Sequence, residues 1–124
     1  MQTPFHELPF PLAAPSCVFP AGVANNCIRL ESLVDEVGLC LFEANICLAY
    51  TRQDLPLSLA DLDISYHVHL PLDLDWSGGG AEAAHICLEL ARKVEFLAPQ
   101  AFVLHPPATA SELRDFVNLW KNEG

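Results

Sequence analysis

The sequence predicts an α/β fold with parallel strands, four β/α units that equal the N-terminal half of a (β/α)8 TIM barrel. Three observations carry this. Apolar or alternating runs take turns with segments of helical spacing, strand then helix four times over, which is the order of a parallel sheet. The 124 residues give about 31 per unit, so eight units would need about 250, the usual size of a closed barrel. No G-x-G-x-x-G turn follows the first strand and no fifth strand is found, which sets the half-barrel ahead of a doubly wound sheet.

Taken in order, residues 1–11 carry three prolines and no period, an irregular lead-in. Ala13 to Phe19 is apolar enough for a first buried strand, closed by Pro20. Gly22 to Val34 sets Val23, Cys27, Leu30 and Val34 at helical spacing. Val37 to Phe42 is a short continuous apolar run, as in a strand covered on both faces. From Ala44 to Asp63 the period is lost, apart from a possible short helix at Leu57 to Leu62 after Pro56. Ile64 to Leu70 alternates strictly, with Ser65, His67 and His69 on the polar side.

Beyond the loop Asp73 to Gly80, Ala81 to Leu97 places Ala83, Ile86, Cys87, Leu90, Val94 and Leu97 on one helical stripe. Ala101 to His105 reads as a fourth strand, ended by Pro106 and Pro107, which cannot both continue a ladder. Thr109 and Glu112 make a T-x-x-E capping box. Leu113, Phe116, Val117 and Trp120 follow at i, i+3, i+4 and i+7, with Gly124 where a C-cap glycine is expected. The whole chain, 1–124, is read as a single domain whose second half of the barrel is absent.

Composition narrows the function. Apolar residues make up 52% and charged residues 18%, which excludes a disordered tail. Six basic against sixteen acidic residues give a net charge of −10, a field that repels polyanions, so nucleic acid is not an expected partner. The longest uncharged stretch, Leu8 to Ile28, is broken by Pro9, Pro11, Pro15 and Pro20 and is not expected to span a membrane. The first basic residue is Arg29, so no signal sequence is read. Five cysteines without a C-x-x-C sit in apolar segments like small hydrophobes, and a cytoplasmic location is the expectation.

Polar residues interrupt the apolar strands at their C-terminal ends, where parallel barrels build catalysis. By period two, Glu43 is the first polar group on the face of Val37, Leu39 and Leu41; His69 ends the third strand and His105 the fourth. Converging imidazole and carboxylate groups suit Zn(II), Mn(II) or Fe(II). The reading is therefore a hydrolytic or isomerising metal site with His69 and His105 as ligands. Its competitor is a histidine that merely ends a strand beside a proline. His67, one layer deeper, is assigned a supporting role in catalysis or the core, and Glu43 a catalytic, metal-binding or capping role. His85 and His6 are placed away from the rim. Gly78 and Gly79 precede a helix whose backbone N–H groups could take a phosphate, with loop flexibility as the alternative, and Trp76 could stack on a ligand ring.

His69-Leu70-Pro71 and Leu104-His105-Pro106, each closing a strand, resemble the metal-binding barrels of the xylose isomerase-like and endonuclease IV-like superfamily. The longer strings LAAPSCVFPAGVANNC, VDEVGLCLFE, SYHVHLPLDLDW and FVLHPP resemble, within it, the cobamide-remodelling phosphodiesterases. The resemblance runs from about Leu12 onward. It implies metal ligation by His69 and His105, with further ligands on later strands that this chain does not hold. It also implies cleavage of the nucleotide-loop phosphodiester of corrinoids, a small-molecule substrate in keeping with the acidic surface. A sugar or sugar-phosphate isomerase or epimerase is the alternative enzyme, and a non-catalytic metal-binding or assembly half-barrel the alternative of another class. Open strand edges at both ends lead to an expectation of self-association or pairing with a complementing half-barrel.

Overall fold

The computed structural model describes residues 9–124. Four strands, β1 (Ala13–Pro15), β2 (Glu36–Cys40), β3 (Ser65–His69) and β4 (Phe102–Val103), form one all-parallel sheet in the order β1-β2-β3-β4. The helices are α1 (Val23–Leu30), α2 (Ala44–Leu48), α3 (Gly80–Val94) and α4 (Ala110–Glu123), with 3-10 turns at Leu57–Asp61 and Glu95–Leu97. A doubly wound sheet reverses its strand order at a switch point and carries helices on both faces. Here order follows the chain without reversal. The sheet is an α/β architecture compatible with half a barrel.

One face of the sheet holds the core. Val37, Leu39 and Leu41 of β2 and its extension, and Tyr66, Val68 and Leu70 along β3, are all buried. They pack in one cluster with Cys27 and Leu30 of α1, Cys87, Leu90 and Val94 of α3 and Phe116 of α4. Burying such side chains stabilises by about 1.5–3 kcal/mol each, which is why period-two alternation in β3 fixes which face meets the helices. The Tyr66 hydroxyl donates to the buried Leu59 carbonyl at 2.6 Å, which ties the 3-10 turn to the sheet. On the other face lie Glu36, Gly38, Cys40, Ser65, His67 and His69, which register sets side by side: Gly38 opposite His67 and Cys40 opposite His69. Most of them are only half-buried.

Thr109 caps α4 as expected, but the Glu112 carboxylate returns to the Thr109 hydroxyl rather than to its backbone amide, so only half of the capping box forms. Glu112 N donates to Thr109 Oγ1 at 3.2 Å, and the Thr109 hydroxyl donates to the Glu112 carboxylate at 2.7 Å. The helical stripe of α4 then packs its aromatics: Phe116 stacks on Trp120 at 5.9 Å, and Phe102 of β4 meets Trp120 edge-on at 5.2 Å. Helix α3 begins at Gly80, and its expected extension to Leu97 resolves into α3 followed by the 3-10 turn, closed by Ala98 in the left-handed region.

Several elements differ from the sequence reading, each for a local reason. Strand β1 spans Ala13–Pro15 rather than Ala13 to Phe19, and it is not buried. The Ser16 side chain, not a backbone carbonyl, takes the Cys40 N–H at 2.9 Å, after which the chain turns so that Phe19 reaches Asn26. Helix α1 stops at Leu30, short of Val34, because Asp35 N donates to the Leu12 carbonyl and the chain enters the sheet. Strand β4 is two residues long, although ladder bonds from Gln100 N to Tyr66 O and from Leu70 N to Val103 O flank it. Helix α2 had no readable period, since five residues make little more than one turn, and its first amide, Ala44 N, is satisfied by Asp73 Oδ1 at 2.9 Å. Among the described residues no helix is long and apolar enough to cross a membrane.

Candidate functional site

The open face of the sheet carries a carboxylate–imidazole–imidazole chain. Glu36, at the start of β2, has one oxygen 2.7 Å from His67 Nδ1 and the other held by the Ser65 hydroxyl at 2.9 Å. His67 Nε2 is 3.0 Å from His69 Nε2, and the two rings meet edge to face at 4.8 Å. Both rings lie over Gly38. A Cβ there would stand 2.6 Å from His67 Nε2 and 3.0 Å from His69 Nε2, so glycine is what lets the imidazoles converge on the sheet. The carboxylate accepts the His67 Nδ1–H, which leaves the Nε2 lone pair of that ring facing His69.

The 3.0 Å between the two Nε2 atoms is a hydrogen-bond distance, and it is also one that two nitrogens sharing a divalent cation could adopt. Two nitrogens bound to one ion at 2.0–2.1 Å stand roughly 2.9–3.4 Å apart, depending on coordination angle, and the observed 3.0 Å falls inside that range. A carboxylate behind a ligating histidine is the usual orienting partner. Among the described residues no group of three or more His, Cys, Asp or Glu is placed to hold a metal ion, so the donors present are a pair and a full coordination shell needs others.

His69 is held neutral. Burial lowers its pKa most, and the neighbouring His67 and His105 lower it further as like charges. An unfolded chain therefore takes up this proton first as pH falls below about 6.5. The stability contributed by His69 is fully present above that pH and is lost as pH falls through the depressed folded value. The expected result of an NMR titration is a His69 ring midpoint below the ordinary histidine value. In His67→Gln it should move up only part of the way, because burial is the larger cause. A midpoint at or above the ordinary value in the unmodified protein would contradict this site geometry.

His69 and His67 are brought together. His105, two residues beyond β4 and exposed, lies near enough for its charge to act on His69. Glu43 does not share the histidine face: Val37, Leu39 and Leu41, whose parity it follows, are the residues under the helices. It is the exposed N-cap residue of α2, and its carbonyl accepts from Cys47 N. The carboxylate on the histidine face is instead Glu36. A strand start read at Val37 left that residue in a loop, although the parity of Glu36, Gly38 and Cys40 would have found it. Gly38 itself was legible as a glycine inside a strand, a mark of close approach.

Trp76 is half-buried against the core, 5.7 Å from the Phe116 ring, so its ring is engaged in packing. Gly79 is the N-cap of α3 with φ of 98°, and the space a side chain on Gly78 would occupy is filled by the Glu82 carboxylate. The start of α3 thus already has an anion beside it. His85 sits on the exposed side of α3, 3.6 Å from Glu123, and His6 lies outside the described residues. A cavity of about 350 Å³ lies between α3, α4 and β4, lined by Leu88, Phe102 and Trp120 among others, on the opposite side of the sheet from the histidines. No family model, curated protein or solved structure matches this chain.

Proposed function

We propose that the chain forms the N-terminal half of a (β/α)8 barrel in a metal-dependent phosphodiesterase that hydrolyses the nucleotide-loop phosphodiester of cobamides. The single observation that supports a metal-dependent reaction is the facing pair of Nε2 atoms over Gly38, with Glu36 behind His67. A Zn(II) or Mn(II) ion held by that pair would supply Lewis acidity, acidifying water and neutralising phosphodiester charge. Glu36 holds the proton on His67 Nδ1 and so fixes that ring's orientation. The lowered pKa of His69 favours the uncharged ring that metal binding requires.

The corrinoid is supported by the resemblance of the four sequence strings, and a small anionic substrate is easier to admit than a polyanion at a net charge of −10. Two nitrogens alone hold an ion weakly. The remaining ligands would come from further strands, on the same chain or a partner. The test is to incubate the completed barrel with a cobamide and Mn(II) or Zn(II), then resolve corrinoid products by chromatography. The expected result is release of the nucleotide base portion, leaving a corrinoid phosphate, with no cleavage of abasic DNA. Cobamide left intact with every such metal, together with turnover of a ketose or sugar phosphate, would replace this function with an isomerase.

A further inference from the structure

The same open face carries a second reactive pair. Cys17 Sγ is 3.7 Å from Cys40 Sγ, Cys17 is exposed, and Cys40 is half-buried at the end of β2 as the ladder partner of His69. The other three cysteines, Cys27, Cys47 and Cys87, are buried. Cys17 and Cys40 are neighbours because of the sheet. The β1–β2 register ends with Pro15 opposite Gly38, and the turn that follows sets the Cys17 sulfur beside that of Cys40. Ser16 keeps the chain alongside, through Ser16 N to Gly38 O at 2.9 Å and Cys40 N to Ser16 Oγ at 2.9 Å. A disulfide needs the two sulfurs about 2.05 Å apart, so the 3.7 Å contact must shorten for the bond to form.

We propose that Cys17 and Cys40 are a site of reversible disulfide formation by a small-molecule disulfide oxidant such as glutathione disulfide. The exposed Cys17 thiolate attacks one sulfur of the oxidant, forming a mixed disulfide and releasing one glutathione thiolate. The Cys40 thiolate then attacks the Cys17 sulfur, forming the protein disulfide and releasing the second glutathione. Two protein thiols lose two protons and two electrons, and the oxidant gains the electrons as two thiols, so the exchange balances. Cys40 suits the second step. Its sulfur lies 3.7 Å from that of Cys17, within reach of the mixed disulfide, while its half-buried position leaves the first attack to the exposed Cys17. The bond would fasten the turn after β1 to the end of β2, beside His69.

The test equilibrates the folded chain in glutathione buffers from fully reduced to fully oxidised, quenches in acid, alkylates, and maps peptides by mass spectrometry. The expected result is a monomer lighter by two hydrogens, with Cys17 and Cys40 joined in one linked pair while Cys27, Cys47 and Cys87 stay reduced. Cys17→Ser and Cys40→Ser should each abolish the linked pair, and Cys40→Ser should stop at a glutathione adduct on Cys17. Three outcomes would overturn the proposal: a stable Cys17 adduct or Cys17–Cys17 dimer in the unmodified chain with Cys40 still alkylated, an unchanged loss of two thiols in either serine variant, or no thiol reaction in any buffer.

Discussion

Asn26→Asp is expected to cost on the order of 3–5 kcal/mol of stability, a large share of the roughly 5–15 kcal/mol that a domain possesses. Asn26 is fully buried. Its Oδ1 accepts from Phe19 N at 2.8 Å, and its Nδ2 donates to the carbonyls of Phe19, Ala21 and Gly22 at 3.2, 3.0 and 2.9 Å. One amide thereby holds the turn between β1 and α1 closed. The change to aspartate keeps the shape but removes both N–H donors and sets an acidic group against three carbonyl oxygens. Each buried partner left unsatisfied costs about 1–3 kcal/mol. Burial raises the introduced carboxyl's pKa, so the deficit should be smallest at acid pH and grow as pH rises. Urea denaturation measures it. Asn25→Ala, at the exposed neighbouring position, should fall within about 0.5 kcal/mol of the parent. Equal midpoints for the two variants would show that the turn does not depend on Asn26.

That turn also shows what could be read from the sequence and what could not. Strand β3 was legible because alternation with period two is a property of the segment itself, and the same alternation separated Tyr66 and Val68 from His67 and His69. The start of α4 was legible because a capping box is local. Asn26 was not: an asparagine on a helix stripe reads as a surface residue, and its value lies in three carbonyls of a turn that only the folded chain assembles. Glu36 was missed for a related reason. An acid at the head of an apolar run looks like the loop before a strand, and its purpose appears only when register sets it beside Ser65 and within reach of His67. Glu43 drew attention because it ended a run of apolar residues, but that run faces the helices. Pairing across strands, which no single segment encodes, decides which polar residues meet.

The site itself makes the second large prediction. With Co(II) as a spectroscopic probe and Zn(II) by calorimetry, the unmodified chain should bind one ion weakly, and His69→Ala should abolish detectable binding. Glu36→Gln should weaken it by about 10–100-fold, the usual cost of losing a partner that orients a ligating histidine. His85→Ala, on the far side of α3 beside Glu123, should leave it unchanged. Gly38→Ala is the sharpest case. The added methyl would lie 2.6 Å from His67 Nε2 and 3.0 Å from His69 Nε2, and what it meets are the far ends of two side chains on an open face. The rings can swing away at small cost, so the fold should survive with a thermal midpoint within a few degrees of the parent, about 1 kcal/mol. They cannot swing away and still converge. Metal binding should therefore fall as far as in His69→Ala while the domain stays folded. Retained binding in Gly38→Ala, or equal loss in His85→Ala, would mean that the ion is held somewhere other than between these two imidazoles.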